Sequence, residues 1–201
     1  MSKDLQKSLK CIFSDLIDIE IINGLAEILE FTLKNRQITI RQFKKLLGRN
    51  YEDVLFLVIE KKLLIPESSY RGLEWQDSKF LLKNNEKYRL PMIIKYLVQL
   101  AKNSGMWNIE KAIRKTFKNI QDKDYKKMPQ LVYKLYKKSE NYQIDGNKIK
   151  RACKDLGLEK RAGAIVSELK GTGIMSPRLG VGLFASLKNK SPIYELNPSL
   201  I

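Results

Sequence analysis

The stretch from Gln143 to Pro198 constrains this 201-residue chain most, because its punctuation admits few arrangements. Asp145 stands where a helix N-cap is needed, its carboxylate ready to accept a first-turn N–H. Ile149, Ala152, Cys153 and Leu156 then recur at helical spacing, and Gly157 follows where a left-handed residue ends a helix. A second run carries Leu158, Ala162, Ile165, Val166 and Leu169 on one face, and Gly171 and Gly173 are expected to stop it. Ile174 to Leu179 reads as extended. Val181, Leu183, Ala185 and Leu187 alternate as in a strand, Lys188 to Ser191 form a polar tip, and Pro192 to Leu196 return.

The order is helix, turn, helix, hairpin, and it resembles the winged-helix family of DNA-binding modules. The resemblance implies that the second helix enters the major groove and that the hairpin tip meets phosphates. Residues carried onto those roles are Lys160, Arg161, Gly163, Ala164 and Ser167 on the outward helix face, with Lys188 and Lys190 at the tip. Arg161 has the geometry to read a guanine edge, and Gly163 and Ala164 leave room for close approach. The plainer alternative is an ordinary solvated helix and turn.

A similar order occurs upstream. Residues 2–18 read as an amphipathic helix that packs on its own domain or dimerises, and 19–34 as another. Thr39 caps a helix carrying Ile40, Phe43, Leu46 and Leu47, closed by Gly48. Asn50 is expected to cap a helix from Tyr51 to Leu64, ended by Pro66. Strands follow at 73–76 and 80–82, a turn at 83–87, and a return strand at 88–90. Leu82-Lys83-Asn84 and Tyr88-Arg89-Leu90-Pro91 parallel Leu187-Lys188-Asn189 and Tyr194-Glu195-Leu196-Asn197-Pro198. Two units in tandem are therefore expected. The first would serve packing or protein contact: Glu52 and Asp53 open its second helix, and 54–59 is apolar all round.

The fold class expected is mainly α with small β-hairpins: an N-terminal winged-helix unit with its leading helix (1–90), a helical connector (91–127) and a C-terminal winged-helix unit (128–201). In the connector, Pro91 opens one helix, Gly105 breaks it and Asn108 caps the next. That helix carries a basic stripe of Lys111, Arg114, Lys115 and Lys118. The stripe would meet a phosphate backbone, a membrane surface or only solvent.

Charge supports a polyanionic partner. Lys and Arg number 38 against 22 Asp and Glu, a net charge of +16. Residues 1–90 carry 16 basic and 13 acidic side chains, 91–127 carry 9 and 3, and 128–201 carry 13 and 6, so the excess lies in the second half. A chain without histidine cannot build a Ser-His-Asp triad or a His zinc site. Its two cysteines, Cys11 and Cys153, both sit in apolar helical faces and are expected as buried free thiols. No phosphate-loop motif, signal peptide or membrane-spanning run is visible.

The expectation is a non-enzymatic double-stranded DNA-binding protein with no catalytic residue, metal or cofactor. It would be cytoplasmic or nucleoid-associated, as a transcriptional regulator or a chromosome- or replication-associated protein. A homodimer or a protein partner through the N-terminal unit is a further expectation. The rivals are a tandem winged-helix protein-interaction scaffold, of the kind found in chromosome-segregation complexes, and an RNA-binding protein.

Overall fold

The computed structural model describes residues 2–13, 18–67, 75, 85–178 and 191–201. Helix α1 (Lys3–Phe13) buries Leu5, Leu9 and Phe13, which recur every four residues, against α2 (Ile19–Asn35) and α5 (Met92–Ser104). Its apolar face is thus consumed within the chain. Cys11 lies off that face and is exposed, contrary to the expectation, whereas Cys153 is buried.

Strand β1 (Ile38–Thr39) leads into α3 (Ile40–Leu47) through a capping box. The Gln42 amide donates to Thr39 Oγ1 (3.3 Å), and the Thr39 amide donates back to Gln42 Oε1 (2.8 Å). Gly48, at φ +57°, closes α3, and a 3₁₀ turn (Gly48–Asn50) leads to α4 (Tyr51–Glu60). Two expectations fail here. Asn50 makes no cap bond; its amide donates to Glu20 Oε2 at 3.0 Å. Helix α4 also ends four residues early, and Pro66 belongs to β2 (Ile65–Pro66). The cause is packing. Lys62 turns left-handed (φ +52°), the amides of Leu63 and Leu64 both donate to the Val58 carbonyl, and the two leucines drop into the core.

Strand β3 (Lys87–Arg89) pairs with both β1 and β2. Helix α5 ends at left-handed Gly105, and the Asn108 side chain accepts the Lys111 amide (2.9 Å) to start α6 (Ile109–Asn119). Helix α7 (Met128–Lys138), strand β4 (Gln143–Asp145) and α8 (Gly146–Lys154) follow, the Asp145 carboxylate capping α8 at the Lys148 amide (2.9 Å). A 3₁₀ turn (Glu159–Arg161) precedes α9 (Ala162–Thr172). The expected single run from Leu158 is therefore split. Gly171 lies inside the helix, and Gly173, at φ +79°, is its left-handed end. Strands β5 (Met175–Pro177) and β6 (Ile193–Leu196) complete the second sheet, and a 3₁₀ turn (Pro198–Leu200) ends it. The fold is mainly α with two small antiparallel sheets of three strands each. The strands expected at 73–76, 80–82 and 181–187 fall outside the described residues, apart from Trp75.

Among the described residues, helix–strand–helix–helix–strand–strand occurs twice, and the repetition reaches the register. In the first sheet Tyr88 stands between Ile38 and Pro66; in the second, Tyr194 stands between Ile144 and Pro177. Both sheets run first strand, third strand, second strand.

The buried side chains of both halves form one continuous cluster, from Leu5 and Phe43 through Leu97 and Phe117 to Leu135 and Leu169. The polar junction between the halves centres on Asn197, which is fully buried. Its side-chain N–H groups donate to the carbonyls of Lys62 (3.2 Å) and Gly173 (3.1 Å), the left-handed residues that follow α4 and α9. Its Oδ1 accepts the Ser199 amide (3.0 Å), and its carbonyl accepts the Tyr136 hydroxyl. The Ser199 hydroxyl donates to the Lys61 carbonyl, and Trp107 Nε1 donates to the Ser199 carbonyl (3.1 Å). Gly173 is confined as well. A Cβ there would lie 2.4 Å from Pro91 Cβ, so only glycine meets both the φ and the contact.

Asn197→Ala leaves two buried carbonyls without their donor, at a cost of about 3 kcal/mol; urea unfolding should show the unfolding free energy fall by that amount, and an unchanged value would remove Asn197 from the junction. Thiol titration of the native protein should modify Cys11 and spare Cys153, whose thiol burial pushes up to about 11. Both should react after denaturation.

Candidate nucleic-acid interface

Helix α9 buries Ile165, Leu169 and Thr172 and turns Gly163, Ala164 and Ser167 to solvent. The Ser167 hydroxyl bonds back to the Gly163 carbonyl (3.3 Å), which leaves a small, nearly neutral surface. Exposed Lys160 and Lys170 flank it, neither of them paired with a carboxylate among the described residues.

Arg161 departs from its expected role. Its guanidinium is only 22% exposed and is spent on carboxylates. Nη1 donates to Asp122 Oδ1 (2.8 Å) and to Asp124, and Nη2 donates to Glu168 Oε1 (3.1 Å). The 3₁₀ turn directs the side chain back toward the loop after α6, where Asp122 Oδ1 also accepts the Asp124 amide (2.7 Å). Arg161 therefore holds α9 to the connector and is not poised at a base edge. Three carboxylates share this one guanidinium, and Asp122 Oδ2 and Glu168 Oε2 remain buried without a partner. Burial, and then the charge of Asp122, raise the Glu168 carboxyl above its ordinary range.

Helix α8 contributes cations that the sequence reading passed over. Lys148 pairs with Glu140 (2.9 Å) and Lys150 lies 3.9 Å from Glu159, but Arg151 and Lys154 are exposed and free of carboxylates among the described residues. Their signal was legible: four basic residues alternate with the buried Ile149, Ala152 and Cys153.

On α6, Lys111, Lys115 and Lys118 form an exposed stripe. Lys115 lies over the Tyr96 ring at 5.0 Å. Arg114 sits at the edge of the stripe, tied to Glu110 by bonds of 2.8 and 3.0 Å. Lys188 and Lys190 lie outside the described residues. In the first unit, Glu52 and Asp53 are exposed at the start of α4. Val54, Leu55, Val58 and Ile59 are buried as expected, but Phe56 is 58% exposed.

Arg161→Ala strands Asp122 and Glu168 in the interior and should cost about 3 kcal/mol, measured by chemical denaturation. The linkage of Glu168 has a definite sign. Its folded-state pKa is raised, so its contribution to stability is complete below the ordinary carboxylate pKa and is lost as pH rises through the raised value. Glu168→Gln should flatten this part of the stability–pH curve; an identical curve would contradict the assignment.

No curated protein matches the chain. No solved structure matches it either. No helix among the described residues is long and apolar enough to cross a membrane. A family model that is described only as a family, with no activity attached, matches residues 20–201. The match spans all but the first 19 residues, so the chain belongs to that uncharacterised family.

Proposed function

We propose that the protein is a non-enzymatic double-stranded DNA-binding protein made of two winged-helix units, and that it binds mainly through the second unit and the connector. The observation that carries this reading is the set of exposed cations on α6, α8, α9 and the 3₁₀ turn before α9: Lys111, Lys118, Arg151, Lys154, Lys160 and Lys170 have no carboxylate partner among the described residues. Unneutralised side chains on a chain of net charge +16 attract phosphates and release condensed counterions. The repeated strand order and the helix pair before each hairpin support the winged-helix reading.

Recognition on this reading is dominated by the backbone. Arg161, the side chain suited to guanine, is engaged by three carboxylates, and the remaining α9 face offers Gly163, Ala164 and Ser167. Contacts to phosphates position a protein without reading sequence. An architectural or replication-associated role in the nucleoid therefore fits better than stringent operator recognition.

The second reading is a protein-interaction scaffold. The neutral α9 face and the exposed Phe56 favour it, because aromatic side chains are enriched at protein interfaces.

Binding to mixed-sequence duplexes across a salt series separates the two. The DNA reading predicts a steep fall of affinity with salt, about 0.9 in log–log slope per phosphate contact. Lys160→Ala/Lys170→Ala and Arg151→Ala/Lys154→Ala should each reduce the slope by about 1 to 2. Unrelated duplex sequences should bind almost equally. Absence of binding at low salt would reject the DNA reading and favour the scaffold.

A further inference from the structure

Helix α9 meets the loop after α6 through one guanidinium that serves two carboxyls side by side. Arg161 Nη1 donates to Asp122 Oδ1 (2.8 Å), and Nη2 donates to Glu168 Oε1 (3.1 Å). The second oxygen of each, Asp122 Oδ2 and Glu168 Oε2, is buried and has no donor. The Asp122 side chain is wholly enclosed, and its backbone amide donates to the Phe117 carbonyl (3.0 Å) in the last turns of α6. The two carboxyls stand within hydrogen-bonding reach of each other. Asp124 shares the same guanidinium, so full ionisation would set three negative charges against one positive. Two adjacent orphaned acceptors are satisfied together by a single hydrogen, and neighbouring carboxyls in a buried site do not ionise together without cost.

We propose that Asp122 and Glu168 share one proton through these two oxygens, and that the shared proton is a pH-sensitive latch holding α9 to the end of α6. With the proton in place, Glu168 Oε2 donates to Asp122 Oδ2 while both carboxyls keep their bonds to Arg161. When the proton leaves, two acceptors confront each other without a donor, and their repulsion opens the contact. Burial, and then the charge of Asp122, raise the Glu168 carboxyl, and Arg161 opposes them. The latch is therefore complete below the ordinary carboxylate pKa and is lost as pH rises through the raised value. Other titratable groups on the elements packed against α9 are engaged elsewhere or lie in solvent. On α8, Lys148 pairs with Glu140 and Lys150 approaches Glu159 of the 3₁₀ turn, Arg151 and Lys154 are exposed, and burial keeps the Cys153 thiol neutral. On α5, Lys102 pairs with Glu30, Lys95 is exposed and Tyr96 lies beneath Lys115. In the loop, Lys123 and Lys126 are exposed and Lys127 donates to the Leu156 carbonyl (3.2 Å). Lys160 and Lys170 are exposed, and β5 carries no charged residue. The inference does not depend on the duplex reading.

Carboxyl carbon NMR of the full chain across pH reads the proton directly. The Glu168 Cδ signal should titrate above the ordinary carboxylate range, and the Asp122 Cγ signal should move in the same step, because one proton serves both. The Asp124 amide, which donates to Asp122 Oδ1 (2.7 Å), reports the latch. Its hydrogen-exchange protection, corrected for the intrinsic rate, should fall at least about tenfold across that step. Glu168→Gln tests the sharing itself. The introduced amide donates to Asp122 Oδ2 at every pH while its oxygen still accepts from Arg161, so protection should stay high and change by less than about twofold. Far-UV circular dichroism at each pH separates local opening from unfolding. Glu168 titrating in the ordinary range, or moving while Asp122 Cγ stays still, would overturn the shared proton in the wild-type protein alone. Unchanged Asp124 protection across the step would overturn the latch, and so would a folded Glu168→Gln variant whose protection falls with pH as in wild type.

Discussion

Two left-handed helix ends, at Lys62 and Gly173, must both be satisfied inside the protein, and one side chain does it. Asn197 donates one amide hydrogen to each carbonyl. A buried carbonyl without a donor costs about 1 to 3 kcal/mol, so the bridge has weight on both sides. Neither aspartate nor leucine supplies two donors in this geometry. The same residue caps the last 3₁₀ turn and accepts the Tyr136 hydroxyl, so the C-terminal segment, α4, α7 and α9 meet at one point. Gly173 against Pro91 closes the junction sterically, where the bonds close it electrostatically.

That junction determines what the surface can offer. Helix α8 and the connector helix α6 bury their apolar faces in the shared core and turn basic residues outward. Helix α9 is pinned twice, by Asn197 at its C-terminal end and by Arg161 before its first turn. The second pin consumes the guanidinium best suited to reading a base. Stability and specificity compete for Arg161, and the three carboxylates around it decide the competition for stability. On the proposed reading, a polyanion would meet lysines and Arg151 at the surface. This is the physical basis for proposing binding that depends on salt more than on sequence.

Local rules made much of the fold legible. Thr39, Asn108 and Asp145 cap helices as their position before an apolar run implies, and Gly48, Gly105 and Gly173 take positive φ where the runs end. The tandem order was visible because Tyr88 and Tyr194 each precede a buried leucine and a helix cap. Failures occurred where a distant partner overrode a local signal. Asn50 looks like a cap but bonds Glu20, thirty positions earlier. The run to Leu64 looks helical, but the core draws Leu63 and Leu64 out of the helix. Arg161 looks like a surface cation, and nothing nearby in sequence marks Asp122 and Asp124 as its partners. Cys11 is apolar in type but falls between the buried positions of α1. Asn197 shows in the sequence only as a member of the Tyr194–Pro198 segment that parallels Tyr88–Pro91, since Lys62 lies 135 residues away.

The central claim is that the two units behave as one cooperative body joined at Asn197. Equilibrium urea unfolding tests it directly. Trp107 bonds to Ser199 and the Trp75 amide bonds to Ser176, so tryptophan fluorescence reports on the junction, while far-UV circular dichroism reports on all the helices. The account predicts coincident single transitions by the two probes. A fluorescence transition that is complete while most helical signal survives would show two units that unfold apart, and would contradict it.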